Sequence, residues 1–225
     1  MPGIESYGVY IPLWRLGEGT KGWEYRVEKA IGSYDEDSVT MAVAAGLECL
    51  KGVSRDEIDA LYFASTTSPF DEKQASPLIA KALGLRDDVF TADFGGSLRS
   101  GTIAMKTALD GIKAGSVRKA LVVMADMRTP QPRSEFEPVF GDGACAFLLS
   151  QEAALEVEDF YTLSDEIYDI WRSKGDIFPR SWEDRFILDE GYFRVLPIAV
   201  KNLLSKSSLS IDDMDRVIFY GPNMR

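Results

Sequence analysis

Apolar positions along this chain fall into short unbroken runs and into helical stripes, and the two kinds alternate. Residues 4–11 carry β-type side chains up to a stop at Pro12 and predict a first strand; residues 17–22 predict a loop. Asp37-Ser38 supplies an N-cap for a helix in which Val39, Val43, Leu47 and Leu50 recur at helical spacing as far as Lys51-Gly52. Residues 54–57 read as a short capped turn before a strand at 60–64, whose continuous apolar run predicts burial on both faces. A helix at 76–83, with Pro77 near its start, a strand at 89–94, a helix at 100–114 and a strand at 120–125 follow. Repeated strand–helix units of this kind require right-handed crossovers and a parallel or mixed sheet, so the fold class is α/β.

Beyond that point the pattern loosens. Residues 126–140, rich in Pro, Arg and Glu, predict a mobile surface loop or lid near the strand ends. Gly141-Asp142-Gly143 turns the chain into an antiparallel strand at 144–149, and 157–163 predicts another strand. Residues 167–194 read as an aromatic and charged covering segment. Residues 192–204 form a helix with Leu196, Val200 and Leu203 on one face and Pro197 in its first turn or at a kink. A last strand at 216–220 follows Asp212-Asp213; an apolar edge left there invites a continuation or a complementing chain.

Composition narrows the chemistry. The 225 residues carry 25 Lys and Arg against 36 Asp and Glu, a net charge of −11, which argues against nucleic acid or an anionic membrane as the main partner. The first residues lack the basic and apolar regions of a signal peptide, and no apolar run approaches the roughly 18 residues of a membrane span. The expected location is cytoplasmic. Cys49 and Cys145 suit neither a disulfide framework nor a four-ligand zinc site, and no metal site is expected. Histidine is absent, so Ser-His-Asp, Cys-His and His-metal chemistry cannot be built from this chain alone.

The most informative stretch is Asp93-Phe-Gly-Gly-Ser-Leu-Arg-Ser-Gly-Thr102, which joins a buried strand to an apolar helix. A helix N-terminus concentrates orphan N–H groups and about half a positive charge, a setting that lowers a thiol pKa and holds an oxyanion. Gly95 and Gly96 suit either a backbone cradle for a thioester oxygen or a tight strand-to-helix turn. Ser97, Ser100 and Thr102 serve as helix-capping hydroxyls rather than as nucleophiles, for want of an activating base. Arg99 opposes the helix dipole and is expected to pair with an acid or a phosphate. Tyr220 is either a buried aromatic or a phenol, of ordinary pKa about 10, that donates a proton or hydrogen bond to an enolate.

Taken in order, Tyr7-Gly-Val-Tyr-Ile-Pro12, Asp35-Glu-Asp-Ser-Val-Thr-Met-Ala42, Arg99-Ser-Gly-Thr102, Gly141-Asp-Gly-Ala144, Asp169-Ile-Trp-Arg172, Arg185-Phe186 with Tyr192-Phe193, and Pro222-Asn223 resemble the thiolase superfamily, in its archaeal and bacterial 3-hydroxy-3-methylglutaryl-CoA (HMG-CoA) synthase-like branch. The resemblance implies a layered α-β-α-β-α fold of two similar halves, usually dimeric. Residues 1–156 would be the N-terminal half; residues 157–225 would be the connecting segment and the first strand of a second half largely absent from this chain. It also implies that the acyl-accepting Cys is replaced by Leu98, the Glu acid/base by Thr66 and the catalytic His by Tyr220.

On the same resemblance Gly95, Gly96, Ser97, Arg99, Thr66, Arg172, Arg185 and Asn223 would contact an acyl-CoA, with no covalently bound cofactor. Ordinary surface pairing accounts equally for Arg172 and Arg185. The expected function is an acyl-CoA-binding subunit of a carbon–carbon bond-forming or cleaving complex. Its partner would be a thiolase-like chain, in a homo- or hetero-oligomer, together with a zinc-ribbon/OB-fold protein. A Cys-independent aldol lyase using Tyr220 as acid and a non-catalytic interaction domain are the alternatives.

Overall fold

A computed structural model describes residues 1–219, and the chain divides into two compact units, Met1–Val157 and the residues from Glu158 onward. In the first unit β1 (Gly3–Tyr10), β4 (Ala60–Ala64), β5 (Phe90–Phe94), β6 (Ala120–Asp126), β7 (Gly143–Ser150) and β8 (Leu155–Glu156) make one six-stranded sheet in the order β5-β4-β6-β7-β1-β8. Its β5-β4-β6 part is parallel, and β7, β1 and β8 add to it antiparallel. β2 (Trp14–Leu16) and β3 (Lys29–Ile31) form a separate antiparallel hairpin, so the glycine-rich stretch at 17–22 lies in the loop between two strands that the apolar pattern does not announce.

Helices cover the sheet where its runs are most apolar. α1 (Ser38–Cys49) begins on a reciprocal cap in which the Thr40 N–H donates to Asp37 Oδ1 at 2.8 Å and the Asp37 N–H donates to Thr40 Oγ1 at 2.8 Å. With α2 (Ser76–Ala82) it packs on the face carrying Leu61, Phe63, Leu121, Val123, Ala146 and Leu148. Each of the Leu, Val and Phe side chains contributes about 1.5–3 kcal/mol on full burial. α3 (Ser100–Lys113) lies on the opposite face, against β4, β5, β6 and β7, and buries Ala104, Ala108, Leu109 and Ile112. Because both faces of β4 are covered, all five of its residues are buried.

The loops entering the sheet are tied by charge. Asp59 accepts from the Arg118 backbone N–H at 2.9 Å, from Arg118 Nη2 at 2.7 Å and from Arg86 Nη2 at 3.0 Å. The Arg118 guanidinium above all holds the Asp59 carboxyl down at about 2. Lys119, 12% exposed, meets Glu5 at 2.8 Å and Glu57 at 2.9 Å. Burial pulls its ammonium down, but those two carboxylates outweigh it and raise the pKa well above the usual lysine range.

Residues 126–140 carry hydrogen bonds to other segments: the Met127 N–H donates to Thr67 Oγ1 at 2.9 Å and the Tyr25 hydroxyl donates to the Ser134 carbonyl at 3.2 Å. Just beyond them the Asp142 N–H donates to the Ala30 carbonyl at 3.0 Å.

The second unit holds a hairpin of β9 (Ile170–Trp171) and β10 (Arg180–Ser181), a short α4 (Asp184–Phe186), a π-turn at Ile187–Tyr192 and α5 (Phe193–Lys206). Pro197 lies inside α5, where it cannot donate to the carbonyl four residues back. The upstream π-turn breaks the regular ladder immediately before it. Two expected strands are absent. Residues 157–163 are irregular because Val157 donates to the Pro2 carbonyl as the edge ends, and Asp159 turns to Phe160 N–H and Lys206 instead of a neighbouring strand. Residues 216–219 have no sheet partner, and Ile218 is 92% exposed. No described side chain of this unit is fully buried.

Candidate active site

Three strand ends and one helix start converge in the first unit. The Ser65 N–H donates to the Phe94 carbonyl at 3.1 Å, which brings the turn after β4 beside the turn after β5. Gly95 is also close to this turn: a Cβ there would stand 3.3 Å from the Ser65 carbonyl. Gly95, Gly96, Ser97, Leu98 and Arg99 are all exposed. Gly96 has φ +74, a left-handed backbone that a side chain would strain, and it reverses the chain into α3. Gly101 lets the first turn of α3 settle onto β6: a Cβ there would stand 2.5 Å from the Met124 sulfur.

The hydroxyls divide their work. Ser97 Oγ accepts from the Arg99 N–H at 3.1 Å in a local turn ahead of α3, whereas the Ser100 and Thr102 hydroxyls donate back to the Ser97 and Arg99 carbonyls at 2.6 and 2.9 Å. The expected helix capping by these hydroxyls is not seen: the N-cap residue of α3 is Arg99, and no side chain accepts from the first-turn N–H groups. Among the described residues Arg99 has no acidic partner, so its guanidinium at the helix start is open to an anion. Leu98, which the resemblance puts at the nucleophile position, is 45% exposed and carries a hydrocarbon side chain. Burial pushes the thiols of Cys49 and Cys145 up, away from the thiolate.

A carboxylate closes the site from below. Asp126, the last residue of β6, receives four hydrogen bonds on one oxygen: from Ser65 Oγ at 3.1 Å, the Thr66 N–H at 2.7 Å, Thr66 Oγ1 at 3.0 Å and Thr67 Oγ1 at 2.8 Å. A second carboxylate, Asp93 on β5, accepts from the Ala75 and Ser76 N–H groups at 2.6 and 2.9 Å. It caps α2, whose own N-cap residue, Ala75, has no side-chain acceptor. Sequence reasoning missed both. The available signal was an Asp within or at the end of an apolar strand, with Ser-Thr-Thr ending the strand beside it.

The other expected residues belong to the second unit or fall outside the described residues. Arg172 follows β9 in the second unit, and Arg185 in α4 pairs with Asp189 at 3.6 Å while its side chain stays 87% exposed. Tyr220 and Asn223 fall outside the described residues. Among the described residues no group of three or more His, Cys, Asp and Glu side chains gathers to hold a metal ion, and no helix is long and apolar enough to cross a membrane.

Residues 93–165, which include the junction, match the family of 3-oxoacyl-[acyl-carrier-protein] synthase III. The chain is 30% identical to a hydroxymethylglutaryl-CoA synthase of Archaeoglobus fulgidus, over all of this chain and 69% of that protein. It is also 30% identical to one of Pyrococcus horikoshii, over 99% of this chain and 67% of that protein. Among solved structures it is similar to an HMG-CoA synthase complexed with CoA, with a TM-score of 0.82 and 19% identity over 95% of this chain; it spans 58% of that chain's length. It is also similar to MvaS in complex with 3-hydroxy-3-methylglutaryl coenzyme A, with a TM-score of 0.80 and 24% identity over 92% of this chain and 54% of that one. The chain belongs to the hydroxymethylglutaryl-CoA synthase family, within the thiolase superfamily.

Proposed function

We propose that this chain is a cytoplasmic subunit that binds an acyl-CoA thioester in a carbon–carbon bond-forming or cleaving assembly, without carrying the acyl group on its own side chains. The observation that supports this reading is the α3 junction. Its glycines are exposed, Leu98 beside them carries a hydrocarbon in the place this reading gives to the nucleophile, and burial pushes both thiols of the chain up. In this reading the Gly95 and Gly96 N–H groups face the thioester oxygen and Ser97 and Thr66 form the polar wall. Arg99, Arg172, Arg185 and Asn223 meet the phosphates and the pantetheine arm. In the same reading residues 1–156 are the thiolase-like half, and residues 157–225 are the connecting segment and the first strand of a second half. A thiolase-type partner chain supplies the cysteine, glutamate and histidine that this one lacks, and a zinc-ribbon/OB-fold protein completes the assembly.

The test is calorimetric titration of CoA and acetyl-CoA into the full chain, alone and with co-expressed partner chains, followed by intact-mass measurement. Saturable binding with an unchanged protein mass is expected. A covalent acyl adduct on this chain would overturn the reading, and absence of binding in every combination would replace it with a non-catalytic interaction domain. CoA-ester cleavage that disappears in Tyr220→Phe would replace it with an aldol lyase.

A further inference from the structure

β4 is the middle strand of the parallel part of the sheet, between β5 and β6. Ala64, its last residue, pairs with Phe94 on one side and with Met124 on the other, so the chain leaves β4 between two strand ends. Regular structure resumes at α2. The segment between, residues 65–76, meets a carboxylate from each neighbouring strand: Asp126 of β6 at its start and Asp93 of β5 at its end.

The start is fixed in detail. Asp126 Oδ1 receives donors from Ser65, Thr66 and Thr67, and charge-assisted bonds of this kind are stronger than neutral ones. The Thr67 N–H also donates to Ser65 Oγ at 2.9 Å, and the buried Ser38 hydroxyl of α1 donates to the Thr67 carbonyl at 2.8 Å. At the end, the Asp93 carboxylate spans two adjacent backbone groups, Oδ2 taking the Ala75 N–H and Oδ1 the Ser76 N–H. The Gln74 side-chain amide adds a bond to the Thr91 carbonyl of the same strand at 2.9 Å. Between the two ends the Phe70 ring packs on the core.

Asp93 lies two residues before Gly95, so the strand that holds the end of the segment also carries the glycine turn. The near contact of Gly95 with the Ser65 carbonyl leaves little slack between that turn and the start of the segment. A carboxylate on each side of β4 therefore decides where the wall at Thr66 stands relative to the glycine turn.

We infer that Asp93 and Asp126 are positioning residues of the candidate site: from the strands on either side of β4 they pin the two ends of residues 65–76 and set Thr66 against the Gly95 turn. The pinning stands on the geometry above; that it serves a ligand rests on the acyl-CoA reading.

Amide exchange and ligand binding on the full chain test the two parts separately. Asn offers one acceptor oxygen where Asp offers two, and it carries no charge. In hydrogen–deuterium exchange read by NMR, Asp93→Asn should speed the Ala75 and Ser76 amides, and Asp126→Asn the Thr66 amide, each by about tenfold. Unchanged protection at these amides would overturn the pinning. Calorimetric titration of acetyl-CoA should show binding weakened by about tenfold in each variant. Asp59→Asn is the control, because Asp59 ties the same three strands at their opposite ends. It should lower stability yet leave both those amides and the affinity as in the unaltered chain. Freed amides with full affinity in either variant would overturn the positioning role of that residue. An equal loss of affinity in Asp59→Asn would overturn it for both. If Asp126→Asn does not fold, Ser65→Ala, which takes one donor from Asp126, is scored on the Thr66 amide and the affinity in its place. If the chain binds no acetyl-CoA, alone or with its partner chains, the acyl-CoA reading falls and the positioning role with it, while the amides still decide the pinning.

Discussion

Leu98 concentrates the chemical question at the residue scale. It follows a left-handed glycine and precedes the first turn of a 14-residue helix, so whatever side chain stands there senses the positive end of the dipole and the solvent together. Replacing it by a thiol tests whether this junction can activate a nucleophile. In Leu98→Cys the introduced thiol should react with iodoacetamide at neutral pH at least about tenfold faster than Cys145, which burial keeps protonated. Equal rates, measured by mass spectrometry of the alkylated peptides, would show that the junction does not activate a thiol. Ser97, Gly96 and Leu98 were all legible as a junction, because glycines and hydroxyls between a strand and a helix have local reasons to be there. Asp126 was not. Its role depends on three hydroxyl-bearing neighbours about sixty positions earlier in the chain, and no local pattern reports that approach.

Secondary-structure elements here are held in register partly by charge at their entry points. Asp59 precedes β4, Arg118 precedes β6 and Arg86 lies ahead of β5, so one carboxylate ties together the three parallel strands. Its folded-state pKa of about 2 is below the ordinary 3.8, so the stabilisation is fully present above 3.8 and is lost as the pH falls from there through about 2. Asp59→Asn should lower stability at neutral pH by about 1–3 kcal/mol and flatten the acid limb of the stability curve. Urea unfolding followed between pH 5 and pH 2, taken here as roughly the span of the carboxylate titration, checks it. An unchanged slope in the variant would assign the acid limb to other groups. The elements themselves were well anticipated wherever a cap and an apolar stripe coincide, as in α1 and α3. Among the described residues, 157–163 and 216–219 of the expected strands pair with no neighbour, because β-type composition supplies no partner and a strand exists only as part of a ladder.

At the scale of the whole molecule the two compact units differ in what holds them. Met1–Val157 owns the six-stranded sheet and the buried cluster around Phe63, Leu121 and Leu148, whereas the described residues from Glu158 onward bury no side chain fully. Hydrophobic burial is the dominant favourable term in folding, so cooperativity resides in the first unit. A fragment of residues 1–157 should unfold in a single transition by both far- and near-ultraviolet circular dichroism, with a stability of about 5–15 kcal/mol. A fragment beginning at 158 should show no such transition. Non-coincident transitions in the first fragment, or a cooperative one in the second, would contradict this division.

The amino-acid sequence by itself determined the α/β class, the order of its principal elements, the junction ahead of α3 and the absence of histidine chemistry. Each of these follows from composition or from periodicity within a dozen or so residues. Only the tertiary structure decided that Asp126 sits in a hydroxyl cage, that Asp93 caps a helix it does not belong to, and that Met127, Ser134 and Asp142 bond to Thr67, Tyr25 and Gly32. These depend on hydrogen bonds between segments far apart in the chain. Such contacts are set by where the sheet brings strand ends together, which no local pattern encodes.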